Sequence, residues 1–278
     1  MAVLQSERLS PDVVVFDRDQ CVAAGEQLHQ SYVGAQPFPH IVLDDFIDQS
    51  VLREIVAEWP DASGRTYYDR AQERLKYEFQ PIHIRSAKIR SLLAELNSEP
   101  VLRFIEKLTG IEKLIPDPYF SGGGLHETRR GGHLGVHADF NIHRGINALR
   151  RINLLIYLND AWEPEYAGNL ELWSRDMRTR EVSVAPAMGK AVIFNTDQDS
   201  FHGVPDPVAC PPERSRRSLA LYYYTAPEAG LASIAPRTTT FKPRPNTPDR
   251  TDWPVLLRHM AQDWLPPAIH RALKRRAA

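Results

Sequence analysis

Apolar residues along this chain fall into two regimes that divide near Pro116. Before it the spacing is helical. Val51, Leu52, Ile55, Val56 and Trp59 share one face of a 3.6-residue repeat, which predicts a helix over 48–59. Asp48 supplies its capping oxygen and Pro60 ends it. A short strand over 38–43 leads into that helix. Two more helices are expected over 86–96 and 100–109, parted at Asn97-Ser98, with Ser98 as a cap and Gly110 as a stop. Residues 61–81 are polar and aromatic without a clean period, and are expected to form a long loop or lid.

After Pro116 short β-rich runs take over, at 124–128, 151–158, 169–173, 180–184, 190–195, 201–204 and 218–225. Turn residues such as Gly131-Gly132 and Asn159-Asp160 separate them. Many short strands without intervening helices predict a β-sandwich or barrel. Helices first and strands later make the chain α+β around one β core. The expected division is a strand and helix support over 1–115, the β core over 116–230, and a proline-rich tail over 231–278. The tail ends in a helix near 255–276 that packs on the outside.

Composition changes this picture little. A formal charge of −1 over 278 residues argues against bulk attraction to nucleic acid or to a membrane surface. Lys274-Arg275-Arg276 is a short basic end rather than a patch. Two cysteines, Cys21 and Cys210, make neither a disulfide framework nor a zinc site and fit a reducing compartment. No apolar run approaches the roughly 18 residues of a membrane helix. Residues 1–11 lack the apolar stretch of a secretion signal, so the expected location is the cytoplasm. No feature fixes an oligomeric state.

The candidate chemistry begins at His137-Ala138-Asp139. Residues two apart on an extended strand point to the same face, so both side chains can reach one ion. His202, in Phe201-His202-Gly203-Val204, follows the aspartate by 63 residues. Two imidazoles and one carboxylate can occupy one face of iron(II) and leave the other open. Alone, each histidine is more simply a surface or core residue; the surroundings add weight. These are Arg151–Asn159 (RINLLIYLN), Ala167–Leu172 (AGNLEL), Pro186–Asn195 (PAMGKAVIFN) and Arg216–Tyr224 (RRSLALYYY). Taken in order with the triad, they resemble the iron(II)- and 2-oxoglutarate-dependent dioxygenases of the prolyl 4-hydroxylase type. The resemblance spans roughly 116–225, with a weaker echo in 38–59.

The resemblance implies a double-stranded β-helix (jelly-roll) core, with the N-terminal helices packed on its major sheet. It implies iron held by His137, Asp139 and His202, 2-oxoglutarate as cosubstrate, ascorbate as a supporting reductant, and dioxygen and a small molecule as substrates. It also implies a basic residue, on the strand after the distal histidine, that pairs with the far carboxylate of 2-oxoglutarate. A guanidinium suits that task because it offers two parallel hydrogen bonds. Arg216 and Arg217 compete for it. If Arg216 faces the pocket, Ser218, Ala220 and Tyr222 face it too; if Arg217 does, Leu219, Leu221 and Tyr223 follow, which read as core. Parity and the family pattern favour Arg216.

Tyr157 matches the family position whose hydroxyl reaches the same carboxylate. Asn153, four residues earlier, shares its face, and Phe194 is expected as a pocket wall. Two departures stand out. Many members carry a tyrosine about ten residues before the first iron histidine, where this chain has His126-Glu127; many have Gly-Gly where it has Ala167-Gly168. Asp139 argues against a halogenase, whose relatives lack the carboxylate.

The expected reaction is hydroxylation of an unactivated C–H bond in a polar small molecule such as an amino acid, a sugar derivative or a natural-product intermediate. Gly122–Gly124, His126, the 129–132 turn, His133, Asn141, His143, Arg144 and Trp162 are expected near the mouth. The alternatives are a peptidyl-prolyl hydroxylase, a non-oxidative cupin-like protein holding zinc or manganese, and a binding module without turnover.

Overall fold

The computed structural model describes residues 2–61, 65–227 and 236–249, together with Leu257. The chain opens with a hairpin, β1 (Ser6–Ser10) and β2 (Val13–Phe16), then α1 (Arg18–Val33), β3 (His40–Leu43) and α2 (Gln49–Ala57). Next come β4 (Arg65–Arg70), β5 (Glu73–Phe79), α3 (Ala87–Glu95) and α4 (Glu99–Thr109). The remaining strands are β6 (Ile115–Pro116), β7 (Gly124–Ala138), β8 (Ile142–His143), β9 (Ala148–Tyr157), β10 (Leu170–Trp173), β11 (Arg180–Val184), β12 (Ala191–Asn195), β13 (His202–Val204), β14 (Ser215–Thr225) and β15 (Thr240–Phe241).

The expected helices form where their caps place them. Asp48 accepts from the Ser50 amide at the start of α2, and Ser86 accepts from Ile89 at the start of α3. Ser98 makes no side-chain cap bond, while Gly110 closes α4 in the left-handed region at φ 73°. Val101, Phe104, Ile105 and Leu108 form the buried stripe of α4. Helix α1 has no such stripe. It buries Cys21, Gly25 and Tyr32, and Gly25 lets it cross α4 closely: a Cβ there would lie 2.5 Å from the Phe104 carbonyl oxygen. The C-terminal helix expected near 255–276 lies outside the described residues.

The β core is a nearly closed antiparallel jelly roll organised by β7. Its first half pairs with β14 and its second half with β13 and β15, while β5 follows it across the bend, pairing at Leu125–Thr128 and again at His133 and Leu134. One fifteen-residue strand thus belongs to two sheets. The major sheet runs β4-β5-β7-β14-β9-β12-β3, and the minor one runs from β7 through β13 and β10 to β11. The bend falls at Gly131-Gly132, which does not make the expected turn. Gly131 sits at φ 81°, and a Cβ on Gly132 would meet the carbonyls of Arg74 and Arg129 at 2.7 and 2.8 Å. A bulged strand, rather than a reversal, carries the chain from one sheet to the other.

The expected loop over 61–81 is also a strand pair. Its β5 extends the major sheet, Lys76 opposite Thr128 and Glu78 opposite His126. Its pattern is obscured because one buried face of β5 carries charges that neutralise one another, while Tyr77 and Phe79 on the other face join the core.

Alternation on β9 and β14 sorts core from site. Ile152, Leu154, Ile156, Leu219, Leu221 and Tyr223 face outward and bury against Leu92, Leu96, Phe104 and other helical residues. Asn153, Tyr157, Arg216, Ser218 and Tyr222 face the space between the sheets. The helices therefore cover the outside of the major sheet and leave its inner face to chemistry.

Candidate active site

His137, Asp139 and His202 meet at the end of the jelly roll because β13 pairs with the second half of β7, placing His202 directly opposite His137. One ligand atom from each lies within 4.8 Å of the others. Each imidazole places Nδ1 on a backbone carbonyl, His137 on Gly135 at 2.9 Å and His202 on Ser200 at 3.0 Å. That contact fixes the tautomer with the proton on Nδ1 and leaves the Nε2 lone pair for a metal. The Nε2 atoms stand 3.5 Å from Asp139, one facing each carboxylate oxygen. Burial, reinforced by His137, lowers the His202 pKa to about 4, so its imidazole is neutral at physiological pH. The donor set fits a divalent iron ion: two imidazoles and a carboxylate on one side.

Asp139 is itself held. Arg150 Nη2 lies 3.1 Å from Oδ2, and Asn153 donates to the same oxygen at 2.9 Å. Arg150 also donates to Asn153 Oδ1 through Nε and Nη2, at 3.0 and 2.7 Å. Its guanidinium lies between the rings of Tyr222 (3.6 Å) and Phe140 (4.6 Å). Burial opposes the Asp139 charge, but Arg150 and then the imidazoles hold its pKa well below the usual carboxylate range. Asn153 thus spends its amide on Asp139 and Arg150 while lining the same cavity.

Arg216 and Arg217 separate as strand parity requires. Arg217 turns outward, its guanidinium 5.0 Å over the Trp59 ring. Arg216 points inward and is buried; Nε donates to the Gly168 carbonyl at 2.7 Å. Among the described residues no carboxylate forms an ion pair with it. Its guanidinium carbon lies 5.0 Å from the ring centre of Tyr157, whose buried hydroxyl completes no hydrogen bond. A buried guanidinium without a counter-charge is costly, and a buried hydroxyl beside it can share the same partner. Both fit a bound carboxylate, as 2-oxoglutarate would supply. The Ala167-Gly168 variation keeps the essential residue: Gly168 sits at φ 71°, and a Cβ there would come 3.2 Å from Arg216 Cδ.

Arg216, Ser218, Asn153 and the triad line one cavity of about 470 Å³. Of the residues expected at its mouth, Gly122, His126 and Arg144 line it. Four do not. His133 bonds to Ala71, Asn141 takes the Arg237 amide, His143 faces Ser121 and Asp117, and Trp162 stacks edge-on with Tyr166. Phe194 packs edge-on against His202 and braces that ligand from behind. The missing tyrosine is replaced by His126, because β7 turns Glu127 outward to accept from Trp59 and points His126 inward.

Two groups of cavity residues escaped the sequence reading. On β5, Lys76 bonds to Glu73 (2.9 Å) and Glu78 (2.7 Å), and Tyr68 donates to Glu78 at 3.1 Å. Burial opposes the Glu78 charge, but Lys76 and then His126 hold its pKa down at about 2. From the C-terminal segment, β15 pairs with Ala138 and His137, Phe241 packs 5.3 Å from the His137 ring, and Arg237 Nη2 donates to the Asp139 carbonyl at 2.9 Å. The β-branched run Thr238–Thr240 before Phe241 was the available signal.

Residues 123–224 match the family model of the 2OG-Fe(II) oxygenase superfamily. No curated protein sequence matches the chain. Among solved structures, a Pseudomonas putida prolyl-4-hydroxylase superposes with a TM-score of 0.53 at 18% identity, covering 74% of this chain and 98% of its own. A Trichoplax adhaerens prolyl hydroxylase, solved with a peptide fragment of the hypoxia-inducible factor oxygen degradation domain, gives 0.57 at 16% identity over 77% and 95%. The α-ketoglutarate-dependent epimerase SnoN from nogalamycin biosynthesis gives 0.52 at 14% identity over 73% and 84%. At these identities the likeness is one of fold: a double-stranded β-helix. Among the described residues no helix is long and apolar enough to cross a membrane.

Proposed function

From the premise that this chain carries a 2OG-Fe(II) oxygenase domain, we propose that it hydroxylates an unactivated C–H bond of a polar small molecule. In this reading His137, Asp139 and His202 hold the iron and Arg216 anchors 2-oxoglutarate. The carrying observation is the buried Arg216, which lines the cavity of the triad without a carboxylate partner among the described residues, with the buried Tyr157 ring against it. A cupin-like metal protein needs the triad but gives that arginine no role.

When bound, iron(II) and 2-oxoglutarate supply the oxidant: decarboxylation to succinate and carbon dioxide is coupled to reduction of dioxygen, with one oxygen atom entering succinate and the other the substrate. The protein's own residues set geometry and exclude water. Arg216 and Tyr157 orient the cosubstrate by its far carboxylate, with Ser218 beside them on the same sheet face. Arg150 and Asn153 keep Asp139 ionised and fixed. Phe241 and Phe194 pack against the two imidazoles.

The solved prolyl hydroxylases supply a second reading, a peptidyl proline substrate. One assay addresses both. Purified protein with iron(II), 2-oxoglutarate and ascorbate is incubated under labelled dioxygen with metabolite extracts and, separately, with proline-containing peptides. Succinate released in step with one labelled oxygen in a small molecule supports the proposal. Oxygen gained only by peptides selects the second reading, and ligand binding without succinate from any source rejects turnover.

A further inference from the structure

We infer that the primary substrate carries an oxyanion (a carboxylate, sulfate or phosphate) seated between Arg70 and Arg144 at the mouth of the cavity. The inference rests on the reading of Arg216 as the cosubstrate anchor. Its basis is which charges in the cavity already have partners. Arg150 is matched by Asp139, and Lys76 by Glu73 and Glu78. Arg216 is assigned to one carboxylate of the cosubstrate, whose other carboxylate is left for the iron. Arg237 is engaged with the carbonyls of Asp139 and Asp197.

Arg70 and Arg144 remain. Both line the cavity, both are exposed, and among the described residues neither lies within ion-pair distance of a carboxylate. Arg70 comes from the end of β4 and rests 5.1 Å over the Tyr68 ring, while Arg144 follows β8. Two guanidiniums on different elements that line one cavity offer the paired N–H donors that suit an oxyanion. The acidic groups offer no equivalent site for a cation. Glu73 and Glu78 already accept from Lys76, and Glu78 accepts from Tyr68 as well.

The same cavity is also lined by the apolar side chains of Leu134, Ile142, Phe241 and Val204. A molecule with its charged end at the mouth would lay a carbon skeleton along these side chains, with a C–H bond directed at the metal site. Such a substrate is a small amphiphilic acid, not a neutral sugar or a neutral peptide.

The test uses full-length protein loaded anaerobically with iron(II) and saturated with 2-oxoglutarate, so that added acids do not compete for Arg216. Matched probes are titrated in: hexanoate against hexanamide, and phenyl phosphate against phenol. Thermal stabilisation and change in the iron(II)–2-oxoglutarate visible band report binding. The acid of each pair is expected to bind at least about tenfold more tightly than its neutral partner, and Arg70→Gln or Arg144→Gln to weaken it by about tenfold. Both variants should keep the band formed before the probe is added. Equal binding of the paired probes, binding of neither, or unchanged acid affinity in both variants overturns the inference while leaving the cosubstrate reading intact. Absence of the band in the iron-loaded parent overturns the cosubstrate reading itself.

Discussion

Replacing Arg150 with Met should destabilise the metal-free protein far more than the metal-loaded one. The side chains of Arg150 and Asp139 are only 2% and 10% exposed, and they stand 3.1 Å apart. Methionine preserves much of the length but removes the charge, leaving Asp139 with the Asn153 amide and the two imidazoles. It also strips Asn153 Oδ1 of both its donors. Removing one member of a buried pair costs about 3–5 kcal/mol. Because Asn153 still donates to Asp139, the lower end applies, and about 3 kcal/mol corresponds to a melting temperature lowered by roughly 6–10 °C. Calorimetry on chelator-stripped protein measures this loss directly. Reloading with zinc(II) or iron(II) supplies a new counter-charge to Asp139, so the gap between variant and parent should narrow. The pH dependence has a definite sign. Asp139 is held below its ordinary value of 3.8, so its share of stability is present above that pH and disappears as the pH falls through the folded value. In Arg150→Met that loss should begin at higher pH. A metal-free variant within about 1 kcal/mol of the parent, or a deficit that metal leaves unchanged, refutes the role assigned to this pair.

Three further outcomes are expected. Gly203→Ala places a Cβ 2.9 Å from the carbonyl oxygens of Leu134 and Gly135, pushing β13 from β7 beside His202; urea unfolding should show a loss of about 1–3 kcal/mol and metal titration a weaker site. Glu78→Gln should flatten the acid limb of the stability curve. The parent carboxylate contributes above about pH 4.5 and loses that contribution as the pH falls toward 2, which denaturation at pH 3–7 will follow. Gly25→Ala forces α1 from α4 through a 2.5 Å contact with the Phe104 carbonyl, and should lower stability by about 1–3 kcal/mol while leaving metal affinity unchanged.

What could be read from the sequence follows the kind of packing each residue serves. The helices α2, α3 and α4 and most core strands were legible because apolar stripes bury against one another. The triad was legible because two of its members lie on one strand face and the third on a short later strand. Strand parity was enough to send Arg216 inward and Arg217 outward. The hairpin β4–β5 was missed although Leu75, Tyr77 and Phe79 alternate with polar residues, since Lys76, Glu73 and Glu78 on the opposite face satisfy one another electrostatically and read as an exposed loop. Helix α1 was missed because a glycine contact with α4 does the work of an apolar stripe. The bend of β7 at Gly131-Gly132 resembles a turn in sequence, and only the pairing of both halves with different sheets distinguishes the two. Arg150 was hidden because its partners are an iron ligand, an amide and two aromatic rings, contacts that no local spacing encodes. The wall from Arg237 to Phe241 lies far along the chain from the metal strand it covers.

The central claim is that Arg216 and the triad form one cosubstrate site, and an anaerobic titration of 2-oxoglutarate into iron(II)-loaded protein tests it most directly. The parent should develop the visible charge-transfer band of the chelated cosubstrate. Arg217→Ala should retain it at similar affinity, while Arg216→Ala should need at least about 30-fold more 2-oxoglutarate, the least expected when a buried charge loses its partner. A protein that holds iron yet never develops the band, or one in which Arg216→Ala titrates like the parent, would contradict the account.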